Sequence, residues 1–273
     1  MKFLTLFIYL LNINYSKSFE SIDLFFKIKN SFNDIPKEST LLKIINPIDE
    51  INSNKSVLFL PARSINPLPS EMYNNFLNSL SNKDIKIYIP NNQNIELLFD
   101  ELSEKNDSVT IVSHSNSALK AIEYSNNYDF INNLVLLDPL DSRSKNDKTI
   151  TEIIEIDNIN DINKNNINIQ NNIINIKNID NLLIINSKKS NDWNIFPTIF
   201  PIGFFSLKLS NLNISESINK DIIKVDLFGH FDILDTTWSN IIHTSLSRGF
   251  DDRNSIKLQQ YHSWLANQIS NII

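Results

Sequence analysis

The chain contains no cysteine. Disulfides, thiolate metal clusters and a cysteine nucleophile are thereby excluded, while the compartment stays open. Histidine is scarce, at positions 114, 230, 243 and 262 only. No two of these have the spacing of a metal motif, so neither a metal nor another cofactor is anticipated. Basic surplus is also missing: the formal charge is −6 and the pI about 5.3. A nucleic-acid partner is excluded on that ground, because phosphate binding needs an excess of Lys and Arg. No run has the length and apolarity of a membrane-spanning helix. Glycine occurs three times, against a conspicuous wealth of Asn and Ile. That bias points to an AT-rich coding sequence, in which positions that favour glycine are expected to have drifted to Ser or Ala.

What is present is a globular composition. Of 273 residues, 41% are hydrophobic and 10% aromatic. The length fits one domain of the larger kind, with ample chain to bury a core. At the N-terminus, Lys2 precedes the apolar run Phe3 to Leu11 and the polar stretch Asn12 to Ser18. One basic residue before a short apolar run is the layout of a signal or targeting segment over residues 1–18. It implies the secretory pathway or an organelle such as a plastid. A buried N-terminal strand is the alternative.

Short apolar runs then alternate with helical patterns. Val57–Leu60, Ile85–Ile89, Val109–Val112, Leu134–Leu137, Leu182–Ile185 and Ile222–Leu227 read as strands. Met72–Leu80, Ile95–Leu102 and Ser117–Ser125 carry apolar residues at helical spacing. From Ser255 a last helix is expected to face the sheet with Ile256, Tyr261, Trp264, Leu265 and Ile269. Continuous apolar strands separated by helices imply a doubly wound, mostly parallel α/β sheet with helices on both faces. Within the expected domain 19–273, the segment from about 156 to 181 is almost wholly Asn, Ile, Asp and Lys. It reads as a low-complexity insert in a tolerant loop, with a lid as the alternative.

The chemistry centres on Val109 to Leu119, where an apolar strand runs into a helix with Ser115 at the corner. A serine there fits a nucleophile elbow, whose usual pattern is Gly-x-Ser-x-Gly. Both glycine positions hold serine, Ser113 and Ser117. The plainer alternative is a strand-to-helix corner with Ser115 as a cap. A serine needs a base to take its proton. Leu134–Leu137 ends in Asp138-Pro139, and the later strand ends in Gly229-His230. Both fall at the carboxyl edge of a parallel sheet, where ligands bind in such folds. The chain order Ser115, Asp138, His230 is that of α/β-hydrolases. Asp141 and Asp192 are alternative acids. His114 reads as packing, pointing away from the site. The backbone N–H of Asn116, with Ala62 or Arg63 from the loop after Leu60, would form an oxyanion hole.

Leu58-Phe59-Leu60-Pro61, Tyr73, His114-Ser115, Leu137-Asp138-Pro139-Leu140-Asp141 and Gly229-His230-Phe231-Asp232-Ile233-Leu234-Asp235 together resemble the chlorophyllase family of α/β-hydrolases. The last stretch is the most specific match, and the resemblance covers Ser56 to Asp235 discontinuously. It departs at Ala62, Ser113 and Ser117, where the family carries glycine, and at Asn116, where it usually carries Arg. The resemblance implies an α/β-hydrolase fold, with Ser115 as nucleophile, Asp138 as acid and His230 as base. It also implies a bulky lipophilic ester as substrate, as in release of phytol from chlorophyll to give chlorophyllide. The alternative is a non-catalytic relative that binds a lipid or pigment.

Overall fold

A computed structural model describes residues 42–47, 55–62, 68–90, 95–104, 108–140, 173–187, 212–239 and 255–273. Residues 1–18, Arg63, Asp141, most of the Asn-rich insert, Asp192 and His243 lie outside them. Among the described residues no helix is long and apolar enough to cross a membrane.

Seven strands form the main sheet: β1 (Leu42–Ile45), β2 (Lys55–Leu60), β3 (Ile85–Pro90), β4 (Val109–His114), β5 (Ile131–Leu137), β7 (Asn181–Ser187) and β9 (Asn219–Val225). Their order is β1-β3-β2-β4-β5-β7-β9. All neighbours run parallel except β1, which lies antiparallel to β3. β6 (Ile174–Ile176) and β8 (Leu212–Ile214) make a separate parallel pair. The central strands are apolar, β-branched runs buried on both faces, which is the pattern a covered parallel sheet requires. Strand order reverses direction between β2 and β4, the switch point at whose carboxyl edge such sheets bind their ligands.

Alternate side chains of each strand feed two cores. Val57 and Phe59 of β2 pack with Phe76, Leu77 and Leu80 of α1 (Asn74–Ser81) and with Tyr261, Leu265, Ala266 and Ile269 of α4 (Ser255–Ser270). Leu58 and Leu60 point the other way, to Leu98, Phe99 and Leu102 of α2 (Ile95–Glu104) and Ala118, Ala121 and Ile122 of α3 (Ala118–Asn127). Helices therefore cover both faces of a mostly parallel sheet. This is the doubly wound, mostly parallel α/β sheet that the sequence predicts.

Three local expectations are corrected. The helix expected from Met72 is split: Ser70–Tyr73 is a 3₁₀ turn behind Pro69, and the α-helix begins at Asn74. On α4, Tyr261, Leu265 and Ile269 are buried as expected and Trp264 packs against the same core, but Ile256 is 63% exposed and Leu258 takes the buried place in the first turn. The tail of the Asn-rich insert is not wholly loop, because it supplies β6. The abundant Asn also has a structural use in the sheet. At the amino ends of the strands, Asn133 donates to Thr110 Oγ1 at 3.0 Å, Asn181 to Asn133 Oδ1 at 2.7 Å, and Asn219 to Asn181 Oδ1 at 3.1 Å. These four residues are register partners on β4, β5, β7 and β9. The ladder gives the buried amide of Asn133 the partners it needs.

Candidate active site

β4 delivers Ser115 to the carboxyl edge of the sheet. His114 still has extended geometry (φ −113°, ψ 136°), then Ser115 turns to φ 62° and a 3₁₀ turn, Ser115–Ser117, leads into α3. A side chain bearing a Cβ is disfavoured at positive φ, at a cost of about 1–3 kcal/mol, and persists only where the surroundings enforce it. Here the Ser115 carbonyl accepts from Leu140 N–H at 3.0 Å. The two flanking serines are buried and each has an acceptor. Ser113 Oγ lies 3.5 Å from the Val135 carbonyl, and Ser117 Oγ donates to the Pro61 carbonyl. The hydroxyls that stand in the glycine positions are thus accommodated by hydrogen bonding.

Asp138 follows β5, also at positive φ (44°), with its N–H donating to the Ile185 carbonyl at 2.7 Å. Its Oδ1 accepts from Ser187 N–H at 2.9 Å. Its Oδ2 accepts from Nδ1 of His230. At the other end of the imidazole, Nε2 lies 2.9 Å from Ser115 Oγ. In the neutral ring the proton therefore sits on Nδ1, facing the carboxylate, and Nε2 is bare toward the serine hydroxyl. All three residues are buried, with 2–5% exposure. The arrangement can move the Ser115 proton to Nε2 while a carboxylate faces the resulting cation.

The turn that carries His230 is built by its neighbours. Asp232 accepts from Gly229 N–H at 2.7 Å and from Ser239 Oγ at 3.1 Å. His262 donates from Nε2 to the Asp232 carbonyl at 2.9 Å. Leu234 is fully buried, and Asp235 accepts from Asn75 N–H at 2.7 Å in the first turn of α1. Phe228 stacks on Tyr261 with 4.0 Å between centroids. Each polar position of the stretch Gly229–Asp235 other than His230 thus shapes or anchors the turn.

His114 was expected to serve as packing, and it does more. Its ring is hydrogen-bonded at both nitrogens, Nδ1 to Tyr73 Oη at 3.0 Å and Nε2 to the His230 carbonyl at 3.0 Å. Burial, helped by the nearby His230, pushes its pKa down to about 3, so it is neutral. Tyr73 Oη also accepts from Ala62 N–H at 3.1 Å. That amide, anticipated as an oxyanion donor, is directed at Tyr73 instead. The signal for this connection was present in the sequence only as two isolated residues, Tyr73 and His114, 41 positions apart.

No family model matches the chain, and no curated protein matches it. Solved structures of similar arrangement include a sugar hydrolase from Lactococcus lactis, 11% identical over 85% of this chain and 96% of that one, at a TM-score of 0.47. The esterase domain of a Rhodothermus marinus protein is 11% identical over 84% and 91%, at 0.43. Est1E from Butyrivibrio proteoclasticus is 12% identical over 84% and 94%, also at 0.43. These stand as likenesses; the functional reading rests on the geometry of Ser115, His230 and Asp138.

Proposed function

We propose that the protein is a serine hydrolase of carboxylic esters. One observation carries this reading: the unbroken hydrogen-bonded series from Ser115 Oγ through His230 to Asp138, with Ser115 held at positive φ on a strand-to-helix corner. A structural serine needs neither that strained backbone nor a base oriented by a buried carboxylate.

In the proposed reaction Ser115 Oγ attacks the ester carbonyl carbon as its proton passes to His230 Nε2. The carbonyl oxygen becomes an oxyanion, received by backbone N–H groups. Asn116 supplies one donor and Arg63 is the candidate for the second, since the Ala62 amide donates to Tyr73. Collapse expels the alkoxide, which takes the proton from His230 and leaves as the alcohol. Water, deprotonated by His230, then attacks the acyl-serine, and the carboxylic acid departs with Ser115 restored. Asp138 orients the imidazole and faces its charge throughout.

The substrate we propose is a bulky lipophilic ester of the kind cleaved by the chlorophyllase family. Its support is the likeness of Gly229–Asp235 and of the Asp138-Pro139 strand end to that family. The test is a hydrolysis screen running from short-acyl nitrophenyl esters to chlorophyll a. Turnover that requires Ser115 and rises with the size of the alcohol group is the expected outcome. Turnover confined to short esters rejects the lipophilic substrate and keeps the hydrolase. No turnover anywhere, with a lipophilic ligand bound, rejects the enzyme reading in favour of a binding protein.

A further inference from the structure

The donors and acceptors around His114 can be assigned without ambiguity, because both ends of the series are backbone groups. Ala62 N–H can only donate, and Tyr73 Oη receives it. The His230 carbonyl can only accept, so His114 Nε2 carries the proton that reaches it. A neutral His114 has one ring proton, so Nδ1 is bare and accepts the hydroxyl proton of Tyr73. The direction is fixed throughout: Ala62 N–H to Tyr73, Tyr73 O–H to His114 Nδ1, His114 Nε2–H to the His230 carbonyl.

This series joins four separate segments at the carboxyl edge of the sheet: the loop after β2, the turn before α1, the end of β4 and the turn after β9. It also closes on a single peptide unit. The plane between Pro61 and Ala62 is held at both polar atoms, its carbonyl by Ser117 Oγ and its N–H by Tyr73 Oη. The next carbonyl, that of Ala62, accepts from Leu68 N–H at 2.7 Å. At the other end, the His114 and His230 rings are neighbours, with 4.8 Å between centroids and their planes tilted by 33°. His230 is thereby fixed on its side chain by Asp138 and Ser115, and on its backbone by His114. Tyr73 and His114 are themselves 0% and 1% exposed. Tyr73 packs edge-on against Phe59 at 5.0 Å, which leaves it little room to relax.

We infer that Tyr73 and His114 are positioning residues of the proposed hydrolase, a neutral clamp that holds the base-bearing turn of His230 in register with the Pro61–Ala62 peptide. The inference rests on the hydrolase reading. It assigns no proton transfer with substrate to His114, which works through the His230 backbone. Reacting groups misplaced by about 1 Å can lose on the order of 100-fold in rate, so the polar links of the clamp bear on turnover and little on substrate affinity.

The test uses three variants of the full chain and an ester that the wild type hydrolyses. Tyr73→Phe keeps the ring against Phe59 and deletes the hydroxyl that serves Ala62 and His114. His114→Leu keeps bulk and deletes both nitrogens. His114→Gln offers an acceptor oxygen and a donor nitrogen on one planar amide, at about the separation of the two ring nitrogens. Tyr73→Phe is expected to lower kcat about 10- to 100-fold at nearly unchanged KM. His114→Leu should lose at least as much, and His114→Gln should recover most of the loss. Tyr73→Phe combined with His114→Leu should be no worse than His114→Leu alone, because the two act as one unit. Should His114→Leu fail to fold, the Tyr73→Phe and His114→Gln pair carries the test. Independently, nitrogen-15 NMR of the ring should find His114 protonated at Nε2, bare at Nδ1 and unchanged between pH 5 and pH 9. A reactive wild type with an equally reactive, folded Tyr73→Phe overturns the clamp and leaves the hydrolase standing, as does a His114 ring that titrates within that range. A wild type that reacts with no ester and no fluorophosphonate overturns the hydrolase and the clamp together.

Discussion

Asp138 reaches His230 with one carboxylate oxygen and holds Ser187 N–H at 2.9 Å with the other. The carboxylate is therefore anchored on β7 while it contacts an imidazole carried beyond β9, and 92 residues separate the pair in sequence. Replacing Asp138 with Asn turns one of these acceptors into a donor and removes the charge that faces the imidazolium. Turnover should fall about 10⁴-fold, against on the order of a million-fold for Ser115→Ala or His230→Ala. The check is kcat on a common ester for all three variants. A fall for Asp138→Asn as deep as that for Ser115→Ala would give the carboxylate a larger part than orientation.

The strain at Ser115 has its own consequence. Glycine accepts φ 62° without steric cost, whereas alanine keeps the Cβ that makes the position unfavourable. Ser115→Gly should therefore be inactive yet more stable than Ser115→Ala, by up to about 1 kcal/mol. Urea unfolding of the two variants measures it, and a less stable glycine variant would show that the positive φ is not strained.

Much of this site could be read from sequence because the chemistry is tied to element ends. Ser115 and Asp138 each follow a buried apolar strand, and His230 lies in the turn after the more polar edge strand β9; parallel strands bring such ends to one edge of the sheet. The Ser–His–Asp geometry then follows from topology. Tyr73 and His114 were harder to read. Tyr73 owes its place to the 3₁₀ turn after Pro69, which interrupts what periodicity presents as one helix. His114 lies on a strand that is buried on every face, where a polar ring tells nothing of its partners until the fold supplies them. Ala62 was misread for the same reason: a loop amide is assigned by what faces it, here the Tyr73 hydroxyl. Strands β6 and β8 are three residues each, and β6 hides in low-complexity sequence where Asn and Ile alternate with no boundary.

The same asparagines make a stability prediction remote from the site. Asn133→Ala would leave Thr110 Oγ1 without its donor and Asn181 Nδ2 without its acceptor, at a buried position. A loss of about 1–3 kcal/mol is expected in chemical unfolding. Asn219→Ala, at the exposed end of the ladder, should cost no more than about 0.5 kcal/mol. Equal effects would mean that the ladder is not a connected structure.

Stability should also decline in mild acid. Burial pushes the His114 pKa from 6.5 down to about 3, and burial likewise holds His262 below its ordinary value. Below about pH 6.5 the unfolded chain binds protons that the folded chain refuses, so stability falls as pH drops from 6.5 toward 3. Above that range neither state binds them and the effect vanishes. The urea midpoint should fall between pH 7 and pH 5, where ordinary carboxylates remain ionised, and His114→Gln should flatten the slope. A wild-type midpoint that is level over this interval would contradict neutral, buried imidazoles.

The most direct measurement is the reaction of the folded protein with a fluorophosphonate, followed by mass spectrometry of the labelled peptide. A serine activated by His230 and Asp138 should react rapidly and carry the label on Ser115 alone. Labelling should disappear in Ser115→Ala and in His230→Ala, with both variants still folded. A folded wild type that takes no label, or carries it on a serine other than Ser115, would contradict the assignment of Ser115 as an activated nucleophile.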